Sequence, residues 1–118
     1  MTLTELQFRA HRVNVQNGWW EDRDAMIESH PSALPAVVLC CIALQHSELS
    51  EAVEAIRKHV PLTWSDHTQP DTAVREMAGC VVRIMDLCER MGWDLEKAVT
   101  AEIDRNETRG HRHGGRAA

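Results

Sequence analysis

A chain of 118 residues and 13.4 kDa has room for one hydrophobic core, and 43% hydrophobic with 26% charged residues is the composition of a folded protein, not a disordered or fibrous one. Four Trp, one Phe and no Tyr leave few strand-forming aromatics, whereas Ala, Leu, Glu, Met and Arg are plentiful, which points to an all-α fold. The net charge of −5 is uneven: residues 105–118 hold Arg105, Arg109, Arg112 and Arg116 against Glu107, a net +3 that leaves −8 for the rest. So acidic a body argues against binding nucleic-acid polymers, which need a broad cationic footprint, but a basic tail still suits one small polyanion.

The longest apolar run, 33–44, is interrupted by Pro35 and falls short of the ~20 residues of a spanning helix. The N-terminus lacks a basic region followed by an apolar stretch. No membrane segment and a cytoplasmic location are therefore expected. Cys40, Cys41, Cys80 and Cys88 form no Cys-x-x-Cys pair and fall in apolar helical patterns, which favours reduced core thiols over disulfides or zinc.

In chain order, Thr2-Leu-Thr-Glu5 is a capping box, and its helix runs to about Asn17, where Gly18 supplies a left-handed stop. Trp19 to Asp24 breaks the pattern, with room for a short helix, and Ser29-His-Pro-Ser32 punctuates before the next element. A second, long helix is expected from a Ser32 cap to about His59, with Pro35 in its first turn. The stretch 60–70, with two Pro and a polar cluster, reads as a loop. A third helix runs from an Asp71 cap to Gly92, and a fourth from an Asp94 cap to about Arg109. The expected architecture is a four-helix bundle forming one domain over 1–109, with a basic flexible tail at 110–118.

Two rows run along the second predicted helix. Val38, Ile42, Leu49, Ala52 and Ile56 form an apolar stripe expected to face the core. The adjoining row, Val37, Cys41, Leu44, Glu48, Glu51 and Ala55, carries two carboxylates three residues apart. On the third predicted helix, Val74, Met77, Val81, Ile84 and Cys88 form the core stripe, beside Glu76, Gly79, Arg83 and Asp86. If these helices are antiparallel neighbours, Glu48, Glu51 and Glu76 meet in an oxygen-rich pocket of the kind Mg²⁺ and Mn²⁺ prefer. The spacing equally allows a solvated face in which Arg83 pairs with a carboxylate.

Whole segments are more specific. Gln45–Lys58 (QHSELSEAVEAIRK), Arg75–Asp86 (REMAGCVVRIMD), Met91–Ala98 (MGWDLEKA) and Asn106–Arg116 (NETRGHRHGGR) resemble, in order, the MazG-like nucleotide pyrophosphohydrolases, and Asn14–Arg23 (NVQNGWWEDR) is similar to the N-terminal segment of their short phage and cassette-borne members. The resemblance implies an oligomeric MazG-like bundle that hydrolyses a nucleoside triphosphate to monophosphate and pyrophosphate. It also implies Mg²⁺, with Mn²⁺ as the substitute, on carboxylates of adjacent helices. Carried over residue by residue, it assigns Glu48, Glu51 and Glu76 to metal binding and catalysis. The family's first acid of E-x-x-E falls on Gln45, and the Asp of E-x-x-D falls on Gly79, which cannot ligate. Asp86 and Glu102 are the substitutes that the sequence offers for the missing carboxylate.

The implied nucleotide contacts are Arg57, Lys58, Arg83, Asn106, Arg109 and His113, with Gly114 and Gly115 allowing close approach. Trp19 and Trp20 are placed to stack on a base, with one of the two expected as a packing anchor; Trp64 and Trp93 read as packing. A nucleotide-sensing relative without turnover and a helical dimerisation module remain as alternatives. A homodimer or dimer of dimers is expected, since one small chain hardly covers a long two-sided helix.

Overall fold

A computed structural model describes residues 1–58 and 73–111, and among them every regular element is helical. In α1 (Leu3–Gln16), the Thr2 hydroxyl accepts from the Glu5 amide at 3.1 Å while the Glu5 carboxylate accepts from the Thr2 amide, the reciprocal cap that the sequence spells. Gly18, at φ +84°, turns the chain out of this helix. The connection that follows holds α2 (Glu21–Ser29) and a 3₁₀ turn at Pro31–Ala33 before α3 (Leu34–Lys58). α4 (Ala73–Met91) leads through Gly92 to Asp94, whose carboxylate accepts from the Lys97 amide at 3.0 Å and caps α5 (Leu95–Arg109). The fold is all-α with five α-helices among the described residues, one more than the four expected long elements because of α2. The predicted loop 60–70 with Trp64, the Asp71 cap and the tail at 112–118 lie outside the described residues.

α4 is the central rod. α3 packs along it in the opposite direction, because Arg83 meets Glu48 while Glu76, one to two turns earlier, meets Glu51. α1 also runs antiparallel to α4: Gln7 Nε2 donates to Glu89 Oε2 and to the Trp93 carbonyl, and one to two turns on, His11 and Asn14 reach Asp86. The apolar centre is small, with Trp20, Cys41 and Leu87 buried and Val37, Val38 and Met91 packed against them. Glu96, in the first turn of α5, binds the start of α1 by accepting from the Leu3 amide and the Thr4 hydroxyl, each at 3.0 Å. Beyond it, every residue from Lys97 to Arg109 is exposed.

The apolar stripes do not lie where the spacing put them. Ile42, Leu49 and Ile56 of α3 and Val74, Met77 and Val81 of α4 are exposed; Ala52 is buried, and Val38, Ile84 and Cys88 are half-buried. The neighbouring rows face each other instead, so that Cys41 and Asp86 are buried and Glu48, Gly79 and Arg83 line the α3–α4 seam. α1 repeats the pattern, with Gln7, His11 and Asn14 turned to α4 and Leu6, Phe8 and Val13 exposed. The physical reason is that the facing polar groups satisfy one another by hydrogen bonds and ion pairs, and α1 and α3, each packed on α4, cannot also cover a second row.

One further expectation changes. Cys41 and Cys80 are buried and Cys88 is half-buried, but Cys40 is exposed, so it is not a core thiol. Burial pushes the Cys41 and Cys88 thiols up, which keeps them protonated and unreactive at neutral pH. Continuous helix from Pro31 to Lys58 is long and apolar enough to cross a membrane by length and composition, a measure that the broken apolar run at 33–44 does not reveal. The core helix of a soluble protein passes the same test, although only 6% of this window is buried within the single chain.

Asp86 ties α4 to α1 and to the turn before α2, accepting from His11 Nδ1 at 2.7 Å, Asn14 Nδ2 at 2.9 Å and the buried Trp20 Nε1 at 2.9 Å. Removing the carboxylate strands a buried indole N–H and two further donors, and each charged hydrogen bond contributes about 1.5–3 kcal/mol. Asp86→Ala is therefore expected to destabilise the fold by about 3 kcal/mol or more, measured by denaturant unfolding; a loss under 1 kcal/mol contradicts this role.

Candidate metal centre and adjoining pocket

Glu48, Glu51 and Glu76 each present a carboxylate oxygen such that the three lie within 4.8 Å of one another, with Glu48 and Glu76 half-buried and Glu51 exposed. The convergence follows from the packing: residues 48 and 51 share one face of α3, and the antiparallel α4 brings Glu76 against that face. Glu48 is held from two sides. Arg83 Nε donates to its Oε1 at 2.8 Å, and its Oε2 lies where a Cβ on Gly79 would come within 2.9 Å. Gly79 thus makes room for the Glu48 carboxylate, a role that its lack of a ligating side chain does not suggest by sequence alone.

Like charges this close raise each other's proton affinity. The Glu76 carboxyl is held above its usual range, first by a hydrogen bond shared with Glu51, then by desolvation and the Glu51 charge, with Glu48 acting in the same direction. An all-oxygen donor set with an electrostatic strain that a cation relieves fits Mg²⁺ or Mn²⁺. Both readings left open by the spacing coexist here, since the oxygen-rich pocket and the Arg83 ion pair share Glu48.

Beside the cluster is a cavity of about 280 Å³, lined by Asn14, Trp19, Arg23, Glu48, Arg83 and Asp86 among others. Glu48 belongs to both cavity and cluster. Trp19 is 63% exposed at this cavity, whereas Trp20 is 2% exposed, with its indole N–H on Asp86 and the Arg23 and Arg90 guanidiniums 5.0 and 5.8 Å from its ring. Trp20 is thus a packing anchor and not a stacking surface for a ligand.

Other sequence-assigned residues lie elsewhere. Asp86 is not a member of the acidic cluster, because α1 and Trp20 occupy its oxygens. Glu102 is also outside it, exposed on α5 and paired with Arg105. The reason is distance along α4: α5 follows the C-terminal end of α4, about 22 Å from Glu76 at 1.5 Å per residue. Asn106 and Arg109 are on the same exposed part of α5, and Arg57, paired with Glu54, and Lys58 are exposed at the end of α3; none of the four lines the cavity. Trp93, read as packing, is exposed, although its carbonyl accepts from Gln7. His113, Gly114 and Gly115 lie outside the described residues.

By sequence alone Asn14, Arg23 and His11 carry no individual role. The signal that finds two of them is the polar row Gln7, His11, Asn14 at helical spacing, which only means something once α4 is known to face it.

No protein-family model, curated protein or solved structure matches the chain. The likeness to MazG-like proteins therefore rests on the segments quoted above.

The raised Glu76 carboxyl fixes the sign of a pH effect. Its folded state holds a proton more tightly than its unfolded state, so stability is greatest below the unfolded value and falls as pH rises through the folded one. Glu76→Gln, which removes the repulsion, is expected to raise the Tm at neutral pH, with a gain that shrinks as pH drops through the carboxylate range from above 4.5. Calorimetric scans of both proteins across pH 4–8 check this, and a lower neutral-pH Tm for the variant contradicts it.

Proposed function

We propose that the chain is a Mg²⁺-dependent nucleoside triphosphate pyrophosphohydrolase of the MazG-like kind, converting a (d)NTP and water to the (d)NMP and pyrophosphate. The observation that carries this reading is the convergence of Glu48, Glu51 and Glu76 on one point beside a cavity that shares Glu48. Those three residues would hold the cation; a bound divalent ion neutralises a triphosphate and lowers the pKa of an attacking water.

The chain's own residues supply the rest. Arg83 and the bare Gly79 backbone fix the Glu48 carboxylate in place. A bound cation would replace the proton that the Glu51 and Glu48 charges hold on Glu76, leaving all three carboxylates ionised as its ligands. Arg23 and Arg83 bring positive charge to the cavity, which the acidic cluster alone would deny to a polyanion. In the reaction the water oxygen bonds to the α-phosphorus, the bond from that phosphorus to the bridging oxygen breaks, and pyrophosphate departs with the bridging oxygen.

A sensing protein without turnover is the second reading, favoured by Arg83 occupying Glu48 Oε1 and by Gly79 standing where the MazG-like pattern has Asp. Purified protein is expected to release pyrophosphate from nucleoside triphosphates only with Mg²⁺ or Mn²⁺, and Glu48→Gln and Glu76→Gln to lose about 100-fold or more of that rate while keeping their helical content. Gly79→Ala is expected to lower cation affinity by displacing the Glu48 carboxylate. Nucleotide-induced stabilisation with no turnover selects the sensor instead, and neither effect leaves a helical module.

The exposed rows on α3 and α4, together with an α5 exposed from Lys97 onward, support a homodimer or dimer of dimers. A 15-residue helix is marginal in water without tertiary packing. Light scattering is expected to give a multiple of 13.4 kDa, and Val81→Asp to shift it toward the single-chain mass; a single-chain mass for the unmodified protein contradicts the assembly.

A further inference from the structure

We infer that the cavity beside Glu48 reads a nucleobase by its exocyclic amino group, with Asn14 Oδ1 as the acceptor and Asp86 as the residue that positions it. This rests on the nucleotide reading above and adds a selection among bases, which the acidic cluster does not provide.

An ionised carboxylate has only lone pairs to offer, and Asp86 is ringed by three donors: His11 Nδ1, Trp20 Nε1 and Asn14. The Asn14 amide therefore turns its nitrogen to Asp86, at 2.9 Å. Its carbonyl oxygen accepts no hydrogen bond from the described residues, and Asn14 lines the cavity. One end of the amide is thus committed to a buried charge, which leaves Oδ1 as an acceptor for a ligand.

The remaining walls suit a flat heterocycle. Trp19 offers an exposed indole face, and aromatic side chains stack on any nucleobase. Arg23 lines the same cavity with its guanidinium held 5.0 Å from the Trp20 ring, which makes it a donor of restricted orientation. At about 280 Å³ the cavity is at the low end for small-molecule sites, matched to a base and not to a whole triphosphate. Glu48 at its edge places the phosphates toward the acidic cluster.

Cytosine and adenine carry an amino donor beside a ring-nitrogen acceptor. Their N–H meets Asn14 Oδ1, and the ring nitrogen meets an arginine N–H. Uracil and hypoxanthine put a carbonyl oxygen where the amino group was, which opposes two acceptors. Sites that hydrogen-bond a substrate N–H discriminate strongly against an analogue lacking it, because a buried polar group is then left unpaired.

The test uses the full chain with Mg²⁺ and non-hydrolysable α,β-imido triphosphates in two matched pairs, cytidine against uridine and adenosine against inosine, with binding followed by calorimetry. The amino member of each pair is expected to bind about tenfold tighter or more. Asn14→Ala is expected to bring each ratio within about twofold, and Asp86→Asn, whose amide can donate to Asn14 Oδ1, to narrow or invert it. Because the readout is a ratio, partial loss of folded protein does not mimic the effect. Equal or tighter binding of the oxo bases overturns the inference while leaving the nucleotide reading intact, as does a tenfold preference surviving in Asn14→Ala; an unchanged ratio in Asp86→Asn removes the positioning role. Failure of all four ligands to bind the folded chain overturns this inference together with the nucleotide reading.

Discussion

A carboxylate withdrawn from water needs several donors to compensate its lost hydration, and Asp86 has three of them from two other parts of the chain. That requirement fixes α1 against α4 and pulls Trp20 into the centre of the molecule. Trp20 then organises what surrounds it: it packs with Cys41 and Leu87, and the Arg23 and Arg90 guanidiniums lie over its ring. Around this anchor the cavity wall forms, since Asn14 precedes Trp20 on one side and Trp19 and Arg23 flank it on the other.

The second seam, between α3 and α4, depends on a small residue. Without a side chain at Gly79 the Glu48 carboxylate lies against the α4 backbone with Arg83 beside it, and in that position it also faces Glu51 and Glu76. The resulting concentration of negative charge is unfavourable by itself, as the raised Glu76 carboxyl shows. A bound cation would relieve this repulsion, as the proposed function requires. A bare backbone at position 79 and a well-placed Glu48 are therefore two aspects of one geometry.

Much of the local structure is legible in the residues. The Thr2–Glu5 box, the Gly18 and Gly92 exits and the Asp94 cap act within a single turn, so neighbours in sequence decide them. The spacing of Glu48, Glu51 and Glu76 is legible for a similar reason: two lie on one helix, and a short list of antiparallel registers brings the third to them. The roles of Asp86 and Glu102 were not legible. Both were plausible oxygen donors by spacing, and what separates them from the cluster is α1 docking on one and the length of α4 before the other.

The sequence by itself determined that the chain is helical, where most helices begin and end, and that α3 and α4 each have a row carrying carboxylates, because propensity, caps and periodicity are local properties. Only the tertiary structure decided which row of each helix faces its neighbour. Amphipathic spacing reports that one side of a helix avoids water but not what covers it. In this chain the polar rows of α1, α3 and α4 meet each other while Leu49, Ile56, Met77 and Val81 face outward. Hydrogen bonds and ion pairs between the inner rows, formed by residues 35 to 82 positions apart, settle that choice, and no window of local sequence contains them.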